Sequence, residues 1–142
     1  MKLKKLAIVV LNLLLIASMG MAQSSSAMYK EASKIFKSYR YNVDYADFQI
    51  KTYEEDGHNI LQLLVIMNSG RNRFDEALLV AYAASGAAIE ITDTAVDRVL
   101  VVVKVQYKEE VSIAATADAA DVVKLYEERM DVSEFMGRLT WH

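Results

Sequence analysis

Apolar residues in this chain fall into blocks whose period changes along the sequence, and each period predicts an element. Met28, Ala32, Ile35, Phe36 and Tyr39 recur at i, i+4, i+7, i+8 and i+11, with Lys30, Glu31, Lys34 and Lys37 on the opposite side. That spacing predicts an amphipathic helix, with Ser26 as its N-cap. From Val43 the period becomes two. Ala46, Phe48, Ile50 and Thr52 share one face of a strand, and Tyr45, Asp47, Gln49, Lys51 and Tyr53 share the other. Asp56-Gly57 then separates two strand-like runs, which is a hairpin signal. Ile60 to Met67 is apolar on both faces apart from Gln62, as expected of an interior strand.

A second helix is predicted from Phe74, Leu78, Ala81, Tyr82 and Ser85, capped by Asn72, with Asp75 and Glu76 in its first turn. Ala83, Ala84, Gly86, Ala87 and Ala88 make its second half small-sided. Small residues allow another backbone to approach closely, and the sheet is the simplest candidate. Val99, Val101, Val103, Val105 and Tyr107 alternate with Leu100, Val102, Lys104 and Gln106, the strongest strand pattern in the chain. After a short connection at Lys108-Glu109, Val111, Ile113 and Ala115 return as its partner. Asp118 or Thr116 caps a helix carrying Val122, Leu125, Tyr126 and Arg129. Asp131-Val132-Ser133-Glu134 has capping-box spacing and starts a last short helix with Phe135, Met136 and Leu139 inward.

The order is α-β-β-α-β-β-α-α. It predicts an α+β fold in which two β-hairpin–helix units form one four-stranded antiparallel sheet with helices on one face. The sequence carries no convincing internal repeat.

The first 22 residues stand apart from this pattern. Lys2, Lys4 and Lys5 precede a run of 17 residues, Leu6 to Ala22, interrupted only by Asn12 and Ser18. It closes on Gly20-Met21-Ala22, with small residues where a signal peptidase needs them. This reads as a secretory signal. A retained membrane anchor is the rival reading, but the run is at the short limit for a spanning helix and no basic stop-transfer cluster follows. The expected organisation is a signal at 1–22 and one domain at 23–142, exported to the periplasm or secreted. Any membrane association would come through an uncleaved signal.

Charge narrows the partners. Three of the 16 basic side chains and none of the 19 acidic ones lie in the signal, so the remaining 120 residues carry a net charge of −6. An acidic domain offers no electrostatic footprint for nucleic acid. Cysteine is absent, which rules out disulfides and thiol catalysis, and a domain of this size can be stabilised by its core alone.

Candidate chemistry is sparse. With His58 and His142 the only histidines and no cysteine, no metal-ligand spacing or Ser-His-Asp pattern is present, and no cofactor motif appears. Glu54-Glu55, Glu109-Glu110 and Glu127-Glu128 are adjacent in sequence, so they point apart instead of across a cleft. Ser69, Gly70, Arg71 and Arg73, between a strand and a helix start, form a weak anion-site candidate. Tyr45, Gln49, Lys51 and Tyr53 form the candidate interaction surface, because tyrosines set among polar groups suit recognition. The expectation is a non-enzymatic interaction or self-associating module, partnered by a second copy or by an envelope protein. The alternatives are a small-ligand or lipid carrier, with a pocket lined by residues such as Phe48, Leu63, Leu78 and Tyr82, and last a hydrolase.

Overall fold

The computed structural model describes residues 26–41, 43, 47–67, 74–92, 95–106 and 110–142. The leader 1–22, Tyr45, Ser69, Gly70, Arg71, Asn72, Arg73 and the connection 107–109 lie outside the described residues. Helix α1 covers residues 26–38. It is followed by β1 (Phe48–Glu55), β2 (His58–Met67), α2 (Phe74–Ile91), β3 (Arg98–Gln106), β4 (Glu110–Asp118), α3 (Ala119–Tyr126), α4 (Val132–Gly137) and β5 (Thr140–Trp141). The class is α+β.

Both hairpins form. Asp56 and Gly57 have φ of 51° and 77°, the paired positive values that a two-residue hairpin loop needs, and Glu55 faces His58 across the turn. Strand β4 returns antiparallel along β3, from Arg98 opposite Asp118 to Gln106 opposite Glu110.

The sheet departs from the four-stranded antiparallel arrangement expected above. Among the described residues it has five strands in the order β1-β2-β3-β4-β5, and β2 runs parallel to β3, with Leu63 beside Val101. Helix α2 is the reason. Its 18 residues, about 27 Å at 1.5 Å each, carry the chain back along β2, so β3 starts from the same end. The fifth strand is the C-terminal tail, where Thr140 and Trp141 pair with Thr116 and Ala115, and His142 N–H donates to the Ala114 carbonyl at 3.0 Å. On the opposite rim, the Ile50 N–H of β1 donates to the Tyr29 hydroxyl of α1 at 2.9 Å.

Strand alternation sorts the sheet into two faces. One carries Phe48, Ile50, Leu61, Leu63, Val65, Met67, Val99, Val101, Val103, Val105, Ala115 and Ala117, all buried. All four described helices join this cluster: Met28, Ala32 and Phe36 from α1, Leu78 and Tyr82 from α2, Val122 from α3 and Phe135 from α4. The Phe48 ring lies 5.0 Å from Tyr29 and 5.5 Å from Phe36, and Tyr82 meets Phe135 edge-on at 5.1 Å. The Tyr82 hydroxyl, fully buried, donates to the Ala115 carbonyl at 2.5 Å.

Helix α2 is buried on more than its sheet side, from Ala77 to Ala88, because α3 covers its second flank. Its tightest approach is to that helix and not to the sheet as expected: a Cβ on Gly86 would lie 2.5 Å from the Tyr126 Cβ. Ser85, inside this contact zone, turns its hydroxyl onto the Ala81 carbonyl at 2.8 Å and so leaves no unpaired polar atom there.

Tyr39, placed inward by periodicity, is 56% exposed. Helix α1 ends one residue earlier, in a left-handed cap. Arg40 has φ 61°, the Arg40 N–H reaches the Lys37 carbonyl and the Tyr41 N–H reaches that of Phe36. The α3 cap repeats this geometry, with Glu128 at φ 58° and N–H groups of Glu128 and Arg129 on the carbonyls of Leu125 and Lys124. Asp131 caps α4 by accepting from the Ser133 N–H at 3.2 Å. Glu134 does not close the expected capping box; it pairs with Arg138 at 3.0 Å.

Candidate functional site

Two surfaces stand out. The first is the sheet face turned away from the helices. Three of the four residues expected there, Gln49, Lys51 and Tyr53, lie on it, with Gln49 and Lys51 exposed and Tyr53 half-buried. The Lys51 ammonium sits 5.6 Å from the Tyr53 ring centroid, within cation–π range. Burial, and secondarily the charge of Glu55, hold the Tyr53 phenol above its usual titration range. Next to these polar residues, Leu64 faces Val102, and Leu100 and Ile66 lie one register step away on the same face. All four are half-buried. Gln62, Lys104 and Thr116 complete the margin.

The second surface was not visible in the sequence. A half-open groove of about 700 Å³ lies on the outside of the helical layer, between the end of α1, the first half of α2 and the α3–α4 turn. Leu79, Val80 and Ala83 of α2 form one wall, and Leu125, Met130 and Val132 the other. Tyr39 stands at the lip. Glu76, Glu128 and Asp131 bring carboxylates to the groove, and among the described residues Arg129 is the one basic side chain lining it.

Electrostatics at this end of the molecule is dominated by acids. The Arg129 Nε donates to Glu127 at 2.5 Å, so the guanidinium is already engaged. Glu127 also shares a hydrogen bond with Glu90, which raises the Glu90 carboxyl above the usual range and lowers that of Glu127. The Tyr41 phenol, bonded to Glu76, is raised, first by burial and then by the charge and hydrogen bond of that carboxylate.

The remaining candidates do not converge. Glu54 and Glu55 end β1 at the exposed hairpin. His58 is half-buried at the first position of β2, and the His142 ring lies 2.7 Å from the Thr116 hydroxyl. Among the described residues, no three His, Asp or Glu side chains come together as a metal site. Phe48, Leu63, Leu78 and Tyr82 fill the core, so the groove lies outside them. Its walls come from stretches more than about 40 residues apart, which periodicity does not connect. The anion-site residues Ser69 to Arg73 are not described. Comparison with protein-family models, with curated proteins and with solved structures finds no match to this chain.

Proposed function

We propose that this is an exported, non-enzymatic interaction module that buries the helix-free face of its sheet against a second copy of itself. One observation carries the reading: Leu64, Ile66, Leu100 and Val102 form a contiguous apolar patch on the two central strands, ringed by Gln49, Lys51, Tyr53, Gln62 and Thr116, and no described helix packs on it. An apolar centre inside a polar margin is the anatomy of a protein interface. Four long strands about 4.8 Å apart, each running some eight residues of about 3.3 Å, present roughly 500 Å². Pairing two such faces buries about 1,000 Å², the lower bound of a specific contact. A two-fold axis lets the same patch serve both copies.

Light scattering of the purified protein across a concentration series tests this. The expected mass is that of two chains, and Val102→Lys, in the middle of the patch, returns it to one chain while circular dichroism stays folded. A single-chain mass for the wild type at every concentration refutes self-association. Export is read independently, by the mass of protein recovered from producing cells. Loss of residues 1–22 is expected, and retention of all 142 residues in the mature pool refutes it.

A further inference from the structure

The groove on the helical side is apolar along its walls and anionic at its rim, and its occupant is readable from that combination. Its volume, about 700 Å³, falls within the roughly 300–1,000 Å³ of clefts that hold small molecules. Leu79, Val80, Leu125 and Met130 offer aliphatic contact from two sides. Among the described lining residues, three carboxylates stand against one guanidinium, which Glu127 already occupies. Glu128 reinforces the bias. It takes the left-handed cap position where glycine is the usual residue, at a conformational cost of about 1 kcal/mol, and sets an exposed carboxylate at the lip.

We propose that this groove binds a small amphipathic organic cation, its apolar body lying between α2 and the α3–α4 turn and its ammonium or amidinium end meeting Glu76, Glu128 and Asp131. The exposed ring of Tyr39 gives the cation a π face at the same lip. An anionic amphiphile of the same body would meet net repulsion there, because Arg129 is already paired with Glu127. The site is on the opposite side of the molecule from the sheet patch, so a chain that never self-associates would still bind.

The test titrates the purified protein with octylammonium below its micelle concentration, using octanoate as the charge-reversed partner, and follows calorimetry and backbone amide shifts. Octylammonium is expected to saturate one site, to move amides of α2 and residues 125–132, and to bind at least tenfold more tightly than octanoate. Glu128→Gln and Glu76→Gln should each weaken it by roughly fourfold, the value for one charge at about 5 Å in water-like dielectric. Ala83→Phe, which fills the groove from the half-buried α2 wall, should abolish the shifts for both probes while the melting curve confirms folding. Octanoate binding as tightly as octylammonium, carboxamide variants that leave affinity unchanged, or no saturable binding by the wild type would each overturn the proposal.

Discussion

Gly86→Ala sets two physical effects against each other, and the structure decides the sign. In a helix interior alanine is favoured over glycine by about 0.8–1.0 kcal/mol, so propensity alone makes the substitution stabilising. The new Cβ, however, would lie 2.5 Å from the Tyr126 Cβ, 3.1 Å from its Cγ and 3.1 Å from the Val122 carbonyl oxygen. None of these is the loose end of a side chain, so α3 itself must shift away from α2. Overpacking of this kind costs about 1–3 kcal/mol, and a contact this short belongs at the upper end. The net expectation is a loss of about 1–2 kcal/mol, or a Tm lower by roughly 4–10 °C for a domain of this size. Gly137→Ala is the internal control. It ends α4, has no atom within 4 Å of its ideal Cβ and avoids positive φ. It should be neutral or stabilise by a few tenths of a kcal/mol. Urea and thermal unfolding followed by circular dichroism measure both. If Gly86→Ala rises with Gly137→Ala, the close α2–α3 approach is wrong, and so is the groove geometry that depends on it.

Two further outcomes follow from buried and strained groups. Tyr82→Phe removes the donor to the Ala115 carbonyl and should cost about 1–2 kcal/mol in urea unfolding at neutral pH. Burial raises the Tyr82 phenol above its ordinary value of 10, so the native state keeps its proton where the unfolded chain gives it up. Its contribution is therefore fully present below pH 10 and lost above it, at up to about 1.4 kcal/mol per pH unit, and the wild-type urea midpoint should fall more steeply above pH 10 than that of Tyr82→Phe. Parallel curves would refute this. Glu128→Gly relieves a left-handed cap and should raise stability by about 0.5–1 kcal/mol in the same assay while weakening octylammonium binding; a loss of stability would show that the carboxylate supports the fold.

Much of the local structure was legible because each element obeys its own period. The Val99–Val105 alternation, the Asp56-Gly57 turn and the Leu78-Tyr82-Ser85 stripe are all where the pattern puts them. Relations between elements were less accessible. Nothing in residues 60–105 states that β3 lies parallel to β2; that follows from the length of α2 against the strand beside it. Strand β5 has two residues, too few to show a period, and is held by pairing with Ala115 and Thr116. Tyr39 continues the apolar period of α1, but the helix stops at residue 38 and turns at Arg40 in a left-handed conformation, where glycine would have given a stop signal. Of the candidate surfaces, Gln49, Lys51 and Tyr53 could be placed by strand alternation alone. The groove could not, because it exists only once residues 76–83 and 125–132 are brought together by the Gly86 contact.

The treatment of the sheet's two rims has a consequence for how this chain meets its neighbours. At Ile50 the outermost amide is already taken by a tyrosine hydroxyl, and at Ala114 to Thr116 the terminal residues occupy the outer ladder. A stray extended peptide finds those positions filled, so runaway ribbon growth is blocked there. For a protein without covalent cross-links, that blocking favours broadside encounters, which reverse, over lateral ones, which tend to propagate.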